Sequence, residues 1–504
     1  MRTLFGTVGP RFQGSDLKGK RLMVGQFLGP IIAALSLIVP VPLVVAQEVT
    51  TPSSKEVAEA TTASEAAIER LIAQLGSDTY AQREEAAREL DRLGDLALEA
   101  LRRTARTSRD PEIQTRAAAL RDRIETAQMV RPTLLTLDFE EAPLPEVVAA
   151  LSRRCESRLN LLNPAGQEWA GRRITLKRDK PVPFWEALDA LTETGGLTPQ
   201  ITQGFGMGTP GTGILLTPSG RVGPGSSKPP FQASFDDGPF RSVLSNLTYT
   251  RTVIIFNQLQ AMPQPEPQAN FLVQMQVFAE PRLMLAQRGP VEIEEAVDEL
   301  GQSLRHPDAE TGPQARHFGG FVSGAAQLNL QLPLIRPEGA GTILTRLSGT
   351  LPVVISSRRP DSLSLSLKEE AGKTVESSDG DLVVTLGAVQ IQPGQSSTIE
   401  LTLRTSNEAD PFGGHADMGA NLHNLLQNQI EVLDAKGNLN RWYLRSSGTR
   451  PNGEIQVTLM TLPGGHFGNG ANPEAPGDPA VVRVHLLKHA PAQVRFEFRD
   501  IPIP

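Results

Sequence analysis

His485 and His489 lie four positions apart, a spacing at which two side chains on a helix can hold one metal ion. The residues around them alternate between apolar and polar types, which predicts a strand instead. On a strand the two imidazoles share a face but lie roughly 13 Å apart, too far to bind the same ion. The spacing therefore predicts two separate histidines and no metal site.

Two aspartates, Asp298 and Asp434, are of the residue type that performs general acid or base chemistry. Each begins an Asp-x-x-Gly segment after an alternating run, and aspartate forms such turns by accepting hydrogen bonds from the backbone that follows it. We therefore predict two turn-forming residues. Asp379 and Asp381 offer oxygens to a calcium ion, but two carboxylates fall short of the roughly six to eight oxygens that calcium takes.

Cys155 is the only cysteine, which excludes an intramolecular disulfide and a multi-cysteine metal site. A reactive thiolate needs a charged, partly exposed setting, whereas Cys155 follows a helical pattern of apolar residues. The sequence predicts a thiol that is packed in a core.

Residues 206–211 (GMGTPG) match the G-x-G-x-x-G pattern of dinucleotide-binding loops. That chemistry requires a helix that opens at the third glycine and directs its amides at a pyrophosphate. Pro218, Gly220 and Gly223 follow within a few residues, which excludes a long helix there. The motif is therefore expected to be a linker, without a nucleotide.

The sequence contains neither G-x-S-x-G nor H-E-x-x-H, the patterns of a serine nucleophile elbow and a zinc protease. From these observations we predict no catalytic, cofactor-binding or metal-binding residues, no cofactor, and a protein that is not an enzyme.

Composition narrows the class of partner. The net charge is −7 and aromatic residues make up 5% of the 504 residues. A basic face is needed to hold a phosphate backbone, and exposed aromatic rings are needed to stack on bases. Nucleic acid is therefore not an expected partner.

The amino terminus has the pattern of an export signal. Basic residues precede a long apolar run that is broken by prolines and ends in small residues at Ala46. Residues 1–46 are predicted to be a signal peptide or, alternatively, an uncleaved anchor that would be the protein's only membrane contact. Polar residues 47–64 follow as an expected tether. In either case the remainder is exported, to the periplasm or cell envelope of a double-membraned bacterium.

Residues 65–128 carry amphipathic helical patterns that repeat. Arg83 and Arg116 occupy equivalent places in two alanine-rich segments, 33 residues apart. This period is similar to that of HEAT-type repeats, which pair helices in a solenoid. About one and a half repeats are present, so we expect the segment to pack on its neighbour.

A strand–turn–helix unit occurs twice in residues 132–202. LTLDFEEAPLPEVVAALSRR (135–154) has apolar residues at every second position and then at every third or fourth. ITLKRDKPVPFWEALDALTETGGL (174–197) repeats this order, again with prolines at the turn. With a short strand at 159–162, the pattern predicts a small α/β layer.

These residues resemble a known family. The pattern L-x-F-x-x-A-P-L-x-x-V-x-x-L, then N-L, then I-T-L with P-V and a second leucine-rich helix, is similar to the short N-terminal domain of secretins and TonB-dependent receptors. The resemblance covers about 134–202. It implies a periplasmic docking module without catalytic residues. The sequence after it does not resemble the membrane-embedded region of that family, so we expect a protein that shares only the module.

The carboxyl-terminal half is rich in alternating runs such as VRFEFRD (494–500). Residues 203–230 are predicted to be a glycine/proline linker. The segments 295–304 and 431–439 resemble each other, as do 343–360 and 481–502, which indicates a duplication. We expect two immunoglobulin-like antiparallel β-sandwiches, 231–368 and 369–504.

The expected fold class is multidomain α+β: a HEAT-like repeat, a secretin-type α/β module and two β-sandwiches. The whole chain resembles exported multidomain envelope proteins. The leading hypothesis is a non-catalytic docking or scaffold protein that binds envelope proteins. The first alternative is an accessory component of a secretin-type export or pilus machine, with outer-membrane components as partners. The second alternative is an enzyme or binder that acts on an envelope polymer.

Overall fold

The computed structural model describes residues 65–155, 159–162, 169, 171–203, 212–219, 233–252, 268–306, 327–368, 372–377, 382–405, 426–450, 454–462 and 476–504. The chain divides into two compact units, Met1–Glu65 and Ala66–Pro504, and only Glu65 of the first unit is described. The expected signal peptide, the tether, the 206–211 motif, Asp379 and Asp381 lie outside the described residues.

The described residues form a mixed α/β protein with about 26% helix and 51% strand, so sheets dominate the fold. No described helix is long and apolar enough to cross a membrane. The helices among the described residues are α1 (65–74), α2 (Tyr80–Leu93), α3 (Asp95–Thr107), α4 (Pro111–Met129), α5 (Leu144–Arg154), α6 (Phe184–Gly195) and a single turn, α7 (426–429).

Helices α1 to α4 enclose a small core of their own, in which several side chains are fully buried: Leu75, Ala86, Leu90, Ala97, Leu101 and Ala117. The alanines on this list let neighbouring helices approach closely. Helix α4 begins where Asp110 accepts a hydrogen bond from the amide of Glu112 at 2.9 Å, with Pro111 at the first helical position. Arg116 of α4 reaches Glu84 of α2 at 3.4 Å, which ties the two arginine-bearing helices together.

The duplicated segment has the predicted order of strands and helices. Its strands are β1 (Leu134–Leu135), β2 (Asp138–Pro143), β3 (Leu159–Leu161), β4 (Arg173–Lys177), β5 (Val182–Pro183), β6 (Leu197–Gln203) and β7 (Thr212–Pro218). Strand β1 pairs with β5, β2 pairs with β4, and β7 lies between β3 and β6. Helices α5 and α6 pack on these strands around one core, which we call the module core.

Strand β7 corrects the expected linker at 203–230. Residues 212–218 form a full strand, and Ile214 and Leu216 are buried in the module core. The composition of this region misled the prediction, because glycines and prolines on both sides mask a short apolar run. That run pairs parallel to β3 and antiparallel to β6, so the module extends to residue 218.

Fifteen strands follow, which form three antiparallel sheets: β8 (Ser234–Asp237), β9 (Phe240–Thr252), β10 (Gln268–Ala279), β11 (Leu283–Gln287), β12 (Glu292–Asp298), β13 (Gln327–Leu334), β14 (Ile343–Ser366), β15 (Thr374–Glu376), β16 (Leu382–Gln390), β17 (Thr398–Thr405), β18 (Ile430–Asp434), β19 (Leu439–Asn440), β20 (Trp442–Thr449), β21 (Ile455–Thr461) and β22 (Pro479–Pro502). The outer sheets have the orders β8-β9-β10-β13 and β15-β16-β17-β21-β20. The central sheet has the order β11-β14-β22-β18-β19, and β12 also pairs with β14.

The longest strands, β14 and β22, form a two-stranded ribbon. Each has 24 residues, and they pair antiparallel from Ile343 opposite Pro502 to Ser366 opposite Val481. One end of the ribbon faces the sheet of β8, β9, β10 and β13. The apolar side chains between them form core 1, to which Leu347 and Phe498 belong. Its other end faces the sheet of β15, β16, β17, β21 and β20, and the apolar side chains between them form core 2. Both cores therefore depend on the same pair of strands.

The division between the cores differs from the expected boundaries of 231–368 and 369–504. Phe496 and Phe498 lie in core 1, whereas Leu363 and Leu365 lie in core 2. Each long strand leaves its own half and completes the other half's core. Alternation along a strand identifies its buried face but not which sheet that face meets, so the crossing was not visible in the sequence.

The two halves that the sequence predicts to be duplicated make equivalent hydrogen bonds. Asp298 accepts from the amide of Gly341, and Asp434 accepts from the amide of Gly477, each at 2.8 Å and across 43 residues. The equivalent long strands begin two residues after these glycines. The outer sheets also share a strand order, since β8-β9-β10-β13 corresponds to β15-β16-β17-β21.

Replacement of Leu216 tests whether β7 belongs to the module. Because Leu216 is fully buried, Leu216→Ala is expected to lower the free energy of unfolding of the module by about 2–5 kcal/mol. The measurement is urea unfolding followed by the fluorescence of Trp169 and Trp185, both in the module core, in a Trp442→Phe background. The control Thr217→Ala, at the next, half-buried position, should cost less than about 1 kcal/mol. Equal unfolding curves for the two variants would mean that residues 212–218 are a linker.

Candidate functional site

The two module helices bury the same positions. In α5 the inward residues are Leu144, Val147, Val148 and Leu151. In α6 the residues with the same spacing are Phe184, Ala187, Leu188 and Leu191, and α6 buries Trp185 and Gly195 in addition. The outward stripes therefore correspond as well. We call Glu146, Ala149, Ala150 and Arg153 the α5 stripe, and Glu186, Asp189, Ala190 and Glu193 the α6 stripe.

The turn between β8 and β9 packs against Trp185 of α6, while Glu186, Asp189 and Glu193 of the α6 stripe stay exposed. The indole of Trp185 donates a hydrogen bond to the carbonyl of Pro239 at 3.1 Å, and Phe278 of β10 packs against the module core. This contact fixes the module on the carboxyl-terminal half.

Arg241 is the centre of this contact. Its guanidinium donates two hydrogen bonds to Asp189 of the α6 stripe, at 2.6 and 2.8 Å, and two to Asp236, at 2.6 and 2.7 Å. It also lies over the ring of Trp185, 5.0 Å from the centroid. Burial alone would lower the pKa of Arg241, but the hydrogen bonds that it donates to Asp236 and Asp189 raise it, so the charge is fixed. We call this set of contacts the Arg241 clamp.

The equivalent side of α5 borders an open groove of about 310 Å³. Phe139 and Ala142 of β2 line one wall, Ala149 and Ala150 line the other, and Glu146 and Arg153 stand at its ends. Ala149 is exposed and Ala150 is half-buried. The groove is apolar along its length and charged only at its ends.

Arg154 and Lys177, two other charged side chains near the groove, already have partners. The Arg154 guanidinium lies over the Phe139 ring at 5.2 Å and also bonds the carbonyl of Thr136. The Lys177 ammonium contacts Glu140 at 2.5 Å, and this hydrogen bond lowers the pKa of the Glu140 carboxyl. Arg154 thereby joins α5 to β2, and neither Arg154 nor Lys177 is part of the groove lining.

A second clamp holds the segment between α4 and β1. The fully buried carboxylate of Glu280 accepts hydrogen bonds from the amide of Thr133 at 2.9 Å and from its hydroxyl. Arg282 bonds Glu280 at 2.8 Å and the carbonyls of Met129 and Arg131. Glu280 and Arg282 bond each other and the backbone between α4 and β1. A shift of that backbone would therefore leave a buried charge without its partner.

The helical segment is fixed to the ribbon by a third set of charges. Glu125 of α4 is nearly buried, and it contacts Lys488 of β22 and Arg102 of α3, the latter at 2.8 Å. Lys488 also lies 3.5 Å from Asp122. Burial lowers the pKa of the Lys488 ammonium, and the Asp122 carboxylate opposes that effect.

A further buried charge cluster lies on the ribbon beside core 2. Glu431 of β18 is 8% exposed and accepts a hydrogen bond from Arg358 at 2.6 Å. The Nε2 atom of His485 lies 3.2 Å from the same carboxylate, and Arg483 lies 3.6 Å from it. Burial alone would raise the pKa of Glu431, but contact with His485 and the charge of Arg358 lower it. The carboxylate therefore cross-links β14, β18 and β22.

The ribbon contains a hydrogen-bonded serine–histidine pair that the sequence pattern does not reveal. Ser356 of β14 and His489 of β22 are register partners, with 2.6 Å between the hydroxyl oxygen and Nδ1. Such a pair can activate a nucleophile, but Ser356 is 1% exposed and no substrate can reach it. Burial lowers the pKa of His489 to about 4, so its imidazole is neutral. The pairing depends on register, which the sequence does not display.

The candidate residues from the sequence lie in turns, in a core or on paired strands. Asp298 and Asp434 form the expected turns, each accepting from the amides two and four residues later. Cys155 ends α5 and is buried in the module core, as expected of a packed thiol. His485 and His489 have different partners on different strands. Within the described ranges no three metal-ligating side chains converge.

No protein-family model, no curated protein and no solved structure matches this chain significantly.

Titration of His489 predicts a pH dependence of stability. Because the folded-state pKa is about 4 and the unfolded value is 6.5, the unfolded chain takes up a proton first as the pH falls through that window. Acidification from pH 7 to pH 4 should therefore lower the free energy of unfolding by up to ~3 kcal/mol through this group alone. His489→Asn keeps an acceptor for Ser356 but does not titrate. Chemical unfolding at both pH values should show a smaller decrease for the variant; parallel decreases would contradict the assignment.

Replacement of Arg241 tests the clamp. Lysine retains the charge but cannot bond two carboxylates in parallel or stack on Trp185, so Arg241→Lys should weaken the contact by about 2 kcal/mol. Hydrogen exchange of the α6 amides, measured by mass spectrometry, should become faster in the variant. Arg450→Lys, at an exposed ion pair with Glu454, is the control and should change exchange little. Unchanged exchange in Arg241→Lys would show that the clamp does not hold the module.

Proposed function

We propose that this chain is an exported envelope protein with a docking role, and that the groove along α5 is where the module binds another protein. The observation that carries the proposal is the contrast between two equivalent helices. Both stripes are equally exposed, but Asp189 of the α6 stripe is already held by Arg241, whereas no side-chain hydrogen bond or ion pair engages the α5 stripe among the described residues. An open apolar groove with charged ends is the form of a protein-binding site.

The way the module is held also supports docking. The Arg241 clamp, the Glu280–Arg282 pair and the Glu125–Lys488 contact hold the module and the helices against the sheets. A surface that is held in place loses little conformational entropy when it binds a partner, so even a small contact can be specific.

We also propose a fold family for each of three parts of the chain. The β1–β7 segment with α5 and α6 is proposed to be a secretin-type N-terminal module, which its strand and helix order supports. Helices α1–α4 are proposed to be a HEAT-like repeat, because α2 and α4 carry the repeated arginines and pack together. The two outer sheets, each facing the ribbon sheet, are proposed to be immunoglobulin-like sandwiches.

A photoreactive residue in the groove tests the function. The full chain would carry it at position 149 or, as a matched control, at position 193 of the α6 stripe, in intact cells of a double-membraned bacterium that makes the protein. Illumination followed by mass spectrometry should show one reproducible protein adduct from position 149 and at least about tenfold less from position 193.

Ala149→Trp, which fills the groove, should abolish binding of that same protein in a purified assay, whereas Glu193→Trp should leave it unchanged. Capture of secretin components would identify the protein as an accessory of an export machine. The same adducts from both positions, or none from position 149, would contradict a docking role for the groove.

A further inference from the structure

The α5 stripe has an internal symmetry. Glu146, Ala149, Ala150 and Arg153 follow one another at intervals of three, one and three residues, so all four project from the same helix face. The acidic residue and the basic residue are equally far from the midpoint between the two alanines. Reversal of the helix direction therefore exchanges the positions of the opposite charges and leaves the alanines in place.

The two end charges have no described ion-pair partner in the part of the chain that the structure covers. Glu146 and Arg153 stand at the ends of the groove, on the exposed face of α5. They are two helical turns apart, about 10 Å along the axis, too far to pair with each other. Both are therefore free to pair with a group that enters the groove.

From this arrangement we infer that the groove binds a second copy of this chain, through antiparallel packing of the two α5 helices about a two-fold axis. Glu146 of each copy then faces Arg153 of the other copy, which gives two equivalent ion pairs. Ala149 and Ala150 meet their counterparts at the centre, where small side chains let two helices approach to about 8 Å. Such a contact is isologous, the commonest form of homodimer interface.

The α6 stripe shows why the charges select this occupant. It has the same spacing, but its three charged members, Glu186, Asp189 and Glu193, are all acidic. Two copies of that stripe would repel in either direction, and the stripe instead contacts a cation, Arg241. The α5 stripe has one charge of each sign at symmetric places, which complements itself.

This inference rests on the proposed function, because it names the partner of the same groove. An 11-residue helix offers a small contact area. Two ion pairs at the rim and two alanines at the centre give modest affinity, so the dimer should be in equilibrium with the monomer.

Sedimentation velocity of the full-length chain over a range of concentrations tests the inference. The wild-type chain should show a reversible monomer–dimer equilibrium. Glu146→Arg places arginine opposite arginine at both ends, and Arg153→Glu places glutamate opposite glutamate, so each variant should weaken dimerisation by about tenfold or more.

Two combinations keep the test independent of folding. The double variant Glu146→Arg/Arg153→Glu restores both attractions and should dimerise to within about threefold of the wild type. An equimolar mixture of the two single variants should form a heterodimer, since every contact in it joins opposite charges. Glu193→Arg, at the equivalent position of α6, is the control and should leave the equilibrium unchanged.

A chain that stays monomeric at all concentrations, or single variants that fail to associate when mixed, would overturn the inference. The photoreactive residue at position 149 separates the two claims. An adduct with a different protein in those cells would leave the docking role standing and refute the second copy as occupant. The absence of any adduct would refute both.

Discussion

The pairing of β14 with β22 is the constraint on which the rest of the structure depends. Each strand completes the core of the other half, so neither core can be assembled from a continuous half of the chain. The equivalent turns at Asp298 and Asp434 fix the start of each long strand by holding the glycine that precedes it. The duplicated halves thus form one folding unit around a shared ribbon.

Charged groups attach the other elements to that unit, together with apolar contacts such as Met129 in core 1 and Phe278 against the module core. Arg241 holds the module, Glu280 with Arg282 holds the connection, and Lys488 with Glu125 holds the helices. Ion pairs that are desolvated and doubly bonded fix a unique orientation, because any shift leaves a buried charge without its partner. Within the described residues these contacts engage Asp189 of the α6 stripe but none of the α5 stripe, which is why we propose the α5 stripe as the docking surface.

Local patterns predicted the local elements well. The helical spacing from Leu144 to Leu151 corresponds to α5, and the Asp-x-x-Gly segments are turns, whereas the alternation from Leu135 to Phe139 is divided between β1 and the start of β2. Pairing between distant segments was not predictable, because period-two alternation is the same for any partner strand. For this reason the strand at Leu216 and the crossing of Phe498 into core 1 were missed.

Native-state hydrogen exchange of the ribbon is the most direct test of this account, with amides of Leu347, in core 1, and Leu365, in core 2, followed across low denaturant concentrations. If the ribbon is one cooperative unit, both amides should exchange through the same global opening, with free energies that agree within about 1 kcal/mol and fall with the same denaturant slope. A separate, lower-energy opening at one of the two residues would show that the cores are independent, and would contradict the shared ribbon as the basis of the fold.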